Sequence, residues 1–133
     1  MSPGRPRRQV VDAPDAPGAI GPYSHAVVSG DLLFCSGQIP LDPATMEMIE
    51  GGVGAQARRC LENLELVCVA AGTRLQNAVR LTVYTTDLDA FAEVNAACAQ
   101  ALPGPGPPAR AVVGVAALPL GARIEIDAVV MLG

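Results

Sequence analysis

Five residues, Gly104-Pro105-Gly106-Pro107-Pro108, constrain the architecture of this chain more than any other stretch. Neither a helix nor a central strand passes through such a run, because proline lacks an N–H and glycine is the costliest residue to order. Ahead of it, from about Leu88 to Leu102, Phe91, Val94, Cys98 and Ala101 recur at helical spacing. Behind it, Ala109 to Leu118 reads as a strand, with Arg110, Val112, Gly114 and Ala116 on one face. A permanently charged guanidinium among small apolar neighbours is expensive to desolvate unless an anion meets it.

The next strand, Ala122 to Leu132, supplies candidates, with Glu125 and Asp127 alternating between Ile124, Ile126 and Ala128. Leu118-Pro119-Leu120-Gly121 is short enough to join the two strands as an antiparallel hairpin. That hairpin would place Glu125 near Gly114 and Asp127 near Val112, on the face of Arg110. Such a face reads as a site for a carboxylate-bearing ligand and a water, or as a structural Arg–Asp cross-strand pair.

The rest of the chain supports an α+β reading. Gln9 to Asp12 is a short strand, and Ser24 to Val28 and Leu32 to Ile39 form a hairpin around Ser29-Gly30-Asp31. A helix spans about Val53 to Ala71, with Ala57, Leu61, Leu64, Cys68 and Ala71 on one stripe and Gly72 as its stop. Ala78 to Thr85 is a strand, and Thr86 with Asp89 forms a capping box for the second helix. This order suits a mixed sheet with both helices packed on one face. The other face would expose Val112, Ala116, Val129 and Met131, which predicts an obligate homo-oligomer.

Composition narrows the chemistry. At 133 residues the chain is one domain, expected over residues 9–133 behind a flexible tail of residues 1–8. Half the residues are hydrophobic, yet there are two Phe, two Tyr and no Trp, so the core must be thin layers of Ala, Val, Leu and Ile. All nine cationic side chains are Arg, which excludes Schiff-base lysines and the phosphate-loop lysine. The single His25 excludes His-rich metal sites and is assigned no chemical role. A net charge of −4 argues against nucleic-acid binding. Cys35, Cys60, Cys68 and Cys98 lack metal-site spacing and read as buried free thiols of a reducing compartment. With neither a signal peptide nor a membrane-length apolar run, the expected location is cytoplasmic.

Four stretches then carry a resemblance: Ile20-Gly21-Pro22-Tyr23-Ser24-His25-Ala26-Val27, Ser36-Gly37-Gln38-Ile39-Pro40, Pro108-Ala109-Arg110 with Val115 and Leu118-Pro119, and Ile124-Glu125-Ile126-Asp127-Ala128-Val129. Asn95 within Phe91-Ala92-Glu93-Val94-Asn95 fits as well. Together, in this order and from Ala13 to Val130, they resemble the Rid family, the enamine/imine deaminases formerly labelled L-PSP endoribonucleases. The resemblance implies a chorismate-mutase-like mixed sheet assembled as a homotrimer, with sites in clefts between subunits and no cofactor. It also implies that Arg110 grips the carboxylate of a 2-imino or 2-enamino acid such as 2-aminoacrylate. Glu125 would be the acid/base group, and Tyr23, Ser36, Gly37 and Asn95 would line the pocket; Asp127 is left structural.

The residue types suit that chemistry. A guanidinium fork fixes a planar carboxylate by two parallel hydrogen bonds. Imine hydrolysis needs an aimed water and a proton for departing ammonia, and one carboxylate serves both steps in turn. The chain departs from the family's deaminase branch at Ala111-Val112, where Ser-Cys is typical, at Gly114 for Glu and at Ala117 for Arg. An alternative reading is a non-catalytic trimer that binds small carboxylates and regulates or protects a partner. The older ribonuclease label fits poorly with an acidic chain that has no Lys.

Overall fold

A computed structural model describes residues 8–133. The part of the expected tail from Met1 to Arg7 lies outside the described residues, whereas Arg8 already belongs to the first strand. Six strands form one sheet: β1 (Arg8–Val11), β2 (Ala26–Ser29), β3 (Leu32–Gln38), β4 (Ala78–Thr85), β5 (Ala109–Gly114) and β6 (Ile124–Met131). Helix α1 (Val53–Ala70) connects β3 to β4, and α2 (Phe91–Ala101) connects β4 to β5. The order across the sheet is β1-β2-β3-β6-β4-β5, antiparallel except for the β4–β5 pair.

The helices cover one sheet face, as the periodicity predicts. From β6, Ile124, Ile126, Ala128 and Val130 all point into the core. They meet Ala57, Leu61, Leu64 and Cys68 of α1 and Val94 and Ala97 of α2. Unbroken burial of alternate positions marks β6 as a central strand. A second, smaller cluster joins Ile39, Leu41 and Ala122 at one end of the sheet. No helix among the described residues is long and apolar enough to cross a membrane.

Three expectations fail here. First, β5 and β6 do not form a hairpin, because β4 lies between them. After Gly114 the chain leaves the sheet and turns at Pro119–Gly121, with Leu120 in a left-handed conformation. It then re-enters as β6, between β3 and β4. Parallel β4 and β5 are instead joined by the α2 crossover, the ordinary way to pair parallel strands.

Second, the cap ahead of α2 is Asp87, whose carboxylate accepts from the Asp89 N–H at 3.1 Å. Thr86 is not the cap, and Leu88–Ala90 forms a 3₁₀ turn before the α-helix proper.

Third, of the expected α2 stripe Val94 and Cys98 are core, whereas Ala101 is exposed and Phe91 is 45% exposed. The open face also differs in membership. Val112 shares the helix face and packs against the core, while Val113 takes the open side with Phe34, Val129 and Met131. Ala116 lies beyond the end of β5.

Candidate active site

The residues singled out from the sequence fall into two clusters on opposite faces of the sheet. Register decides this. Tyr84 of β4 stands opposite Glu125 of β6, whereas Leu81 of β4 stands opposite Arg110 of β5. Positions 81 and 84 point to opposite faces, because strand side chains alternate. Within one chain, Arg110 therefore does not share a face with Glu125 and Asp127. β4 separates the two strands expected to pair as a hairpin, so the expected shared face is absent.

The first cluster gathers around Glu125. Between Cys35 and Gln38 the β3–β6 register shifts, so Ser36-Gly37 forms a bulge beside Glu125. A Cβ added to Gly37 would sit 2.1 Å from Glu125 Oε2, so the close approach here is made by this chain's own carboxylate. The Ser36 hydroxyl donates to the Ser24 carbonyl at 2.6 Å, tying the bulge to the loop that carries Tyr23. Tyr23 is 45% exposed, and its hydroxyl accepts from the Ile20 N–H at 3.2 Å. Tyr23, Ser36, Gly37 and Glu125, with Ile20 and Pro119, line a cavity of about 260 Å³. His25 anchors the same loop. Its Nδ1 accepts from Ala13 N–H at 3.1 Å, and its Nε2 donates to the Pro17 carbonyl at 2.8 Å. Both ring nitrogens are committed to backbone.

The Glu125 carboxyl titrates above the usual glutamate range, first because partial burial disfavours its charge and second because Asp127 lies nearby. Asp127 in turn accepts a hydrogen bond from the Tyr84 hydroxyl at 3.3 Å.

The second cluster surrounds Arg110 on the helix face at the sheet edge. Its Nη2 donates to Asn95 Oδ1 at 2.7 Å, and its guanidinium carbon lies 5.6 Å from the centroid of the Phe91 ring. The amide orients the fork and the ring supports its plane. Arg110, Asn95, Cys98, Leu102 and Pro108 border a cavity of about 360 Å³. Burial pushes the Cys98 thiol up, opposed by the hydrogen bond and charge of Arg110. The sequence reading placed Phe91 in the core, where it does not belong, and Cys98 in the core, where it does, and so took neither as a neighbour of Arg110. The signal was present, since Phe91, Asn95 and Cys98 lie at i, i+4 and i+7 on one face of α2.

Chemically, one cluster offers an oriented cation for a carboxylate, and the other offers a partly desolvated carboxyl beside a small cavity. The two cavities have no lining residue in common.

Comparison with known proteins places the chain in a family. The family model described as endoribonuclease L-PSP matches residues 13–132. The chain is 51% identical over 127 residues to protein DfrA of Myxococcus xanthus, covering 94% of this chain and 96% of that one. It is 43% identical over 126 residues to the 2-iminobutanoate/2-iminopropanoate deaminase of Homo sapiens, covering 95% and 91%. The crystal structure of RidA from the Antarctic bacterium Psychrobacter sp. PAMC 21119 superimposes with a TM-score of 0.88 at 43% identity, over 92% of this chain and 98% of that one. The chain belongs to the endoribonuclease L-PSP family, the Rid proteins.

Proposed function

We propose that this protein is a cofactor-independent hydrolytic deaminase of small 2-imino and 2-enamino acids, working as a homotrimer. Each site would combine the Arg110 cluster of one protomer with the Glu125 cluster of its neighbour. The observation that carries the assembly is the division of the site, because one chain holds the carboxylate clamp and the acid/base group on opposite sheet faces. Relatives bearing an imine-deaminase name over nearly their whole length support the reaction class.

In the proposed reaction Arg110 holds the substrate carboxylate, with Asn95 and Phe91 fixing the fork. Glu125 takes a proton from water as its oxygen bonds to the C=N carbon. The proton passes to the nitrogen, giving a carbinolamine; Glu125 then takes the new hydroxyl's proton and delivers it to the nitrogen as the C–N bond breaks, so that ammonia departs and a 2-keto acid remains. An enamine such as 2-aminoacrylate first gains a proton on its terminal carbon and loses one from its nitrogen, becoming the imine. The substrate is already electrophilic, so positioning and one acid/base group suffice. Ala111 and Val112 need supply no side-chain chemistry. Buried free thiols at all four cysteines accord with a reducing, cytoplasmic setting.

The test is to generate 2-aminoacrylate in situ and time the appearance of pyruvate with and without the protein. Faster keto-acid release supports the deaminase. Carboxylate binding without acceleration would replace it with a binding protein.

A further inference from the structure

Asp127 and Tyr84 belong to no part of the reaction described so far, yet they adjoin Glu125 on the open sheet face. Tyr84 stands directly opposite Glu125 in the β4–β6 register, and Asp127 follows two positions later on the same face of β6. The Tyr84 hydroxyl donates to Asp127 Oδ2 at 3.3 Å. On the far side Gly37 leaves room for the Glu125 carboxylate against the bulge. Glu125 thus lies between the β3 backbone on one side and Tyr84 of β4 on the other, with Asp127, the hydrogen-bond partner of Tyr84, two positions along its own strand.

We propose that the Tyr84–Asp127 pair positions Glu125 for both halves of the reaction, so that the carboxyl that receives water's proton readily returns it to the leaving nitrogen. The proposal rests on the reading of Glu125 as the acid/base group. Partial burial opposes full charge on Glu125, and the second carboxylate on the same face, Asp127, acts in the same direction. An acid/base group serves both steps best when neither protonation state is strongly preferred. Tyr84 keeps its proton because the Asp127 charge, followed by burial, pushes the phenol up. Its hydroxyl therefore remains a donor that fixes the Asp127 side chain.

Other titratable groups near Glu125 are differently committed, and in the proposed assembly the partner subunit's Arg110 is neutralised by the substrate carboxylate it holds. Tyr23 lies across the cavity with its hydroxyl on the Ile20 amide. Arg80 is further along β4 and acts on Tyr84, opposing the rise of its phenol. Arg123, two residues before Glu125, donates to the Gly51 carbonyl. Cys60 of α1, across the sheet, is pushed up by burial and then by Glu125, and so stays a neutral thiol. Asp127 is the one of these groups whose charge raises Glu125.

The experiment records kcat and kcat/KM against pH for wild type, Asp127→Asn, Asp127→Glu, Tyr84→Phe and Glu125→Gln, with light scattering on each. The base form of Glu125 governs the acid limb of kcat/KM. Removing the Asp127 charge is expected to move that limb to lower pH, and Asp127→Glu to restore it. Tyr84→Phe is expected to lower kcat roughly two- to tenfold with KM nearly unchanged, the loss of one positioning hydrogen bond. If Asp127→Asn does not assemble, Asp127→Thr provides the neutral variant with a strand-forming side chain. An unmoved acid limb in an assembled neutral variant, with Glu125→Gln inactive, overturns the pair's role alone. Full turnover by Glu125→Gln overturns the acid/base reading beneath it.

Discussion

At Gly37 a single hydrogen atom decides where the proposed acid/base group rests. The position has no left-handed backbone that would require glycine; what requires it is Glu125 Oε2, 2.1 Å from where a Cβ would lie. The displaced group is the end of a flexible side chain, so Gly37→Ala is expected to leave folding almost intact, with Tm moving less than about 5 °C. Turnover should nonetheless fall roughly tenfold to a hundredfold, because the carboxylate is pushed off its position. Calorimetry beside a keto-acid assay checks both halves. Arg110→Lys makes the complementary test. It keeps the charge but loses the fork that Asn95 orients, and losing charge-assisted hydrogen bonds of about 1.5–3 kcal/mol predicts a ten- to hundredfold drop in kcat/KM. Wild-type kinetics in that variant would remove the carboxylate clamp. The sequence showed which residue types were chemically useful, but the reason for Gly37 was hidden. Its partner is far away in the chain, and a one-residue bulge leaves no periodic signature.

Among the elements, helices and strands were legible, because hydrophobic period and Gly/Pro punctuation fix them locally. Strand order was not. Consecutive strands β5 and β6 looked like a hairpin, yet their compositions already differed in the way edge and centre differ. β5 follows two prolines, ends at Gly114 and is largely exposed, whereas every helix-facing position of β6 is buried. Weighing the apolar alternation of β6 against the Pro and Gly that bound β5 points to β6 as the inner strand, but the face of Arg110 is set by the β4 register, which no local pattern shows. The elements also depend on a buried amide. Asn63 of α1, fully buried, donates to the Leu41 and Ile39 carbonyls at 3.0 and 3.4 Å and accepts from Arg59 Nε at 3.0 Å. It pins the segment that leaves the Ser36-Gly37 bulge. Asn63→Ala, and Asn63→Leu despite its matching branched shape, should each cost about 2 kcal/mol by leaving a buried carbonyl without its donor. Urea unfolding measures this, and an unchanged midpoint in both variants would show that the segment holds itself.

At the scale of the whole molecule, the open sheet face asks for a partner. Phe34 and Met131 are 46% and 47% exposed there, beside partly buried Val27 and Val129 in the β2–β3–β6 register. A contiguous apolar patch of this kind is seldom left wet. The proposed trimer covers it and joins the two clusters that the fold of one chain keeps apart. Phe34→Arg should therefore abolish assembly and turnover together, and an active monomer by light scattering would defeat the shared site. Complementation is the sharper measurement. Arg110→Ala destroys only the clamp and Glu125→Gln only the acid/base group, so each variant alone should be inactive while still assembling. If a site draws one half from each of two protomers, refolding the two variants together creates sites that combine an intact Arg110 with an intact Glu125. Random mixing makes about one site in four complete, so the mixture should recover about a quarter of wild-type activity. If both halves came from one chain, every site would keep one defect and the mixture would stay inactive.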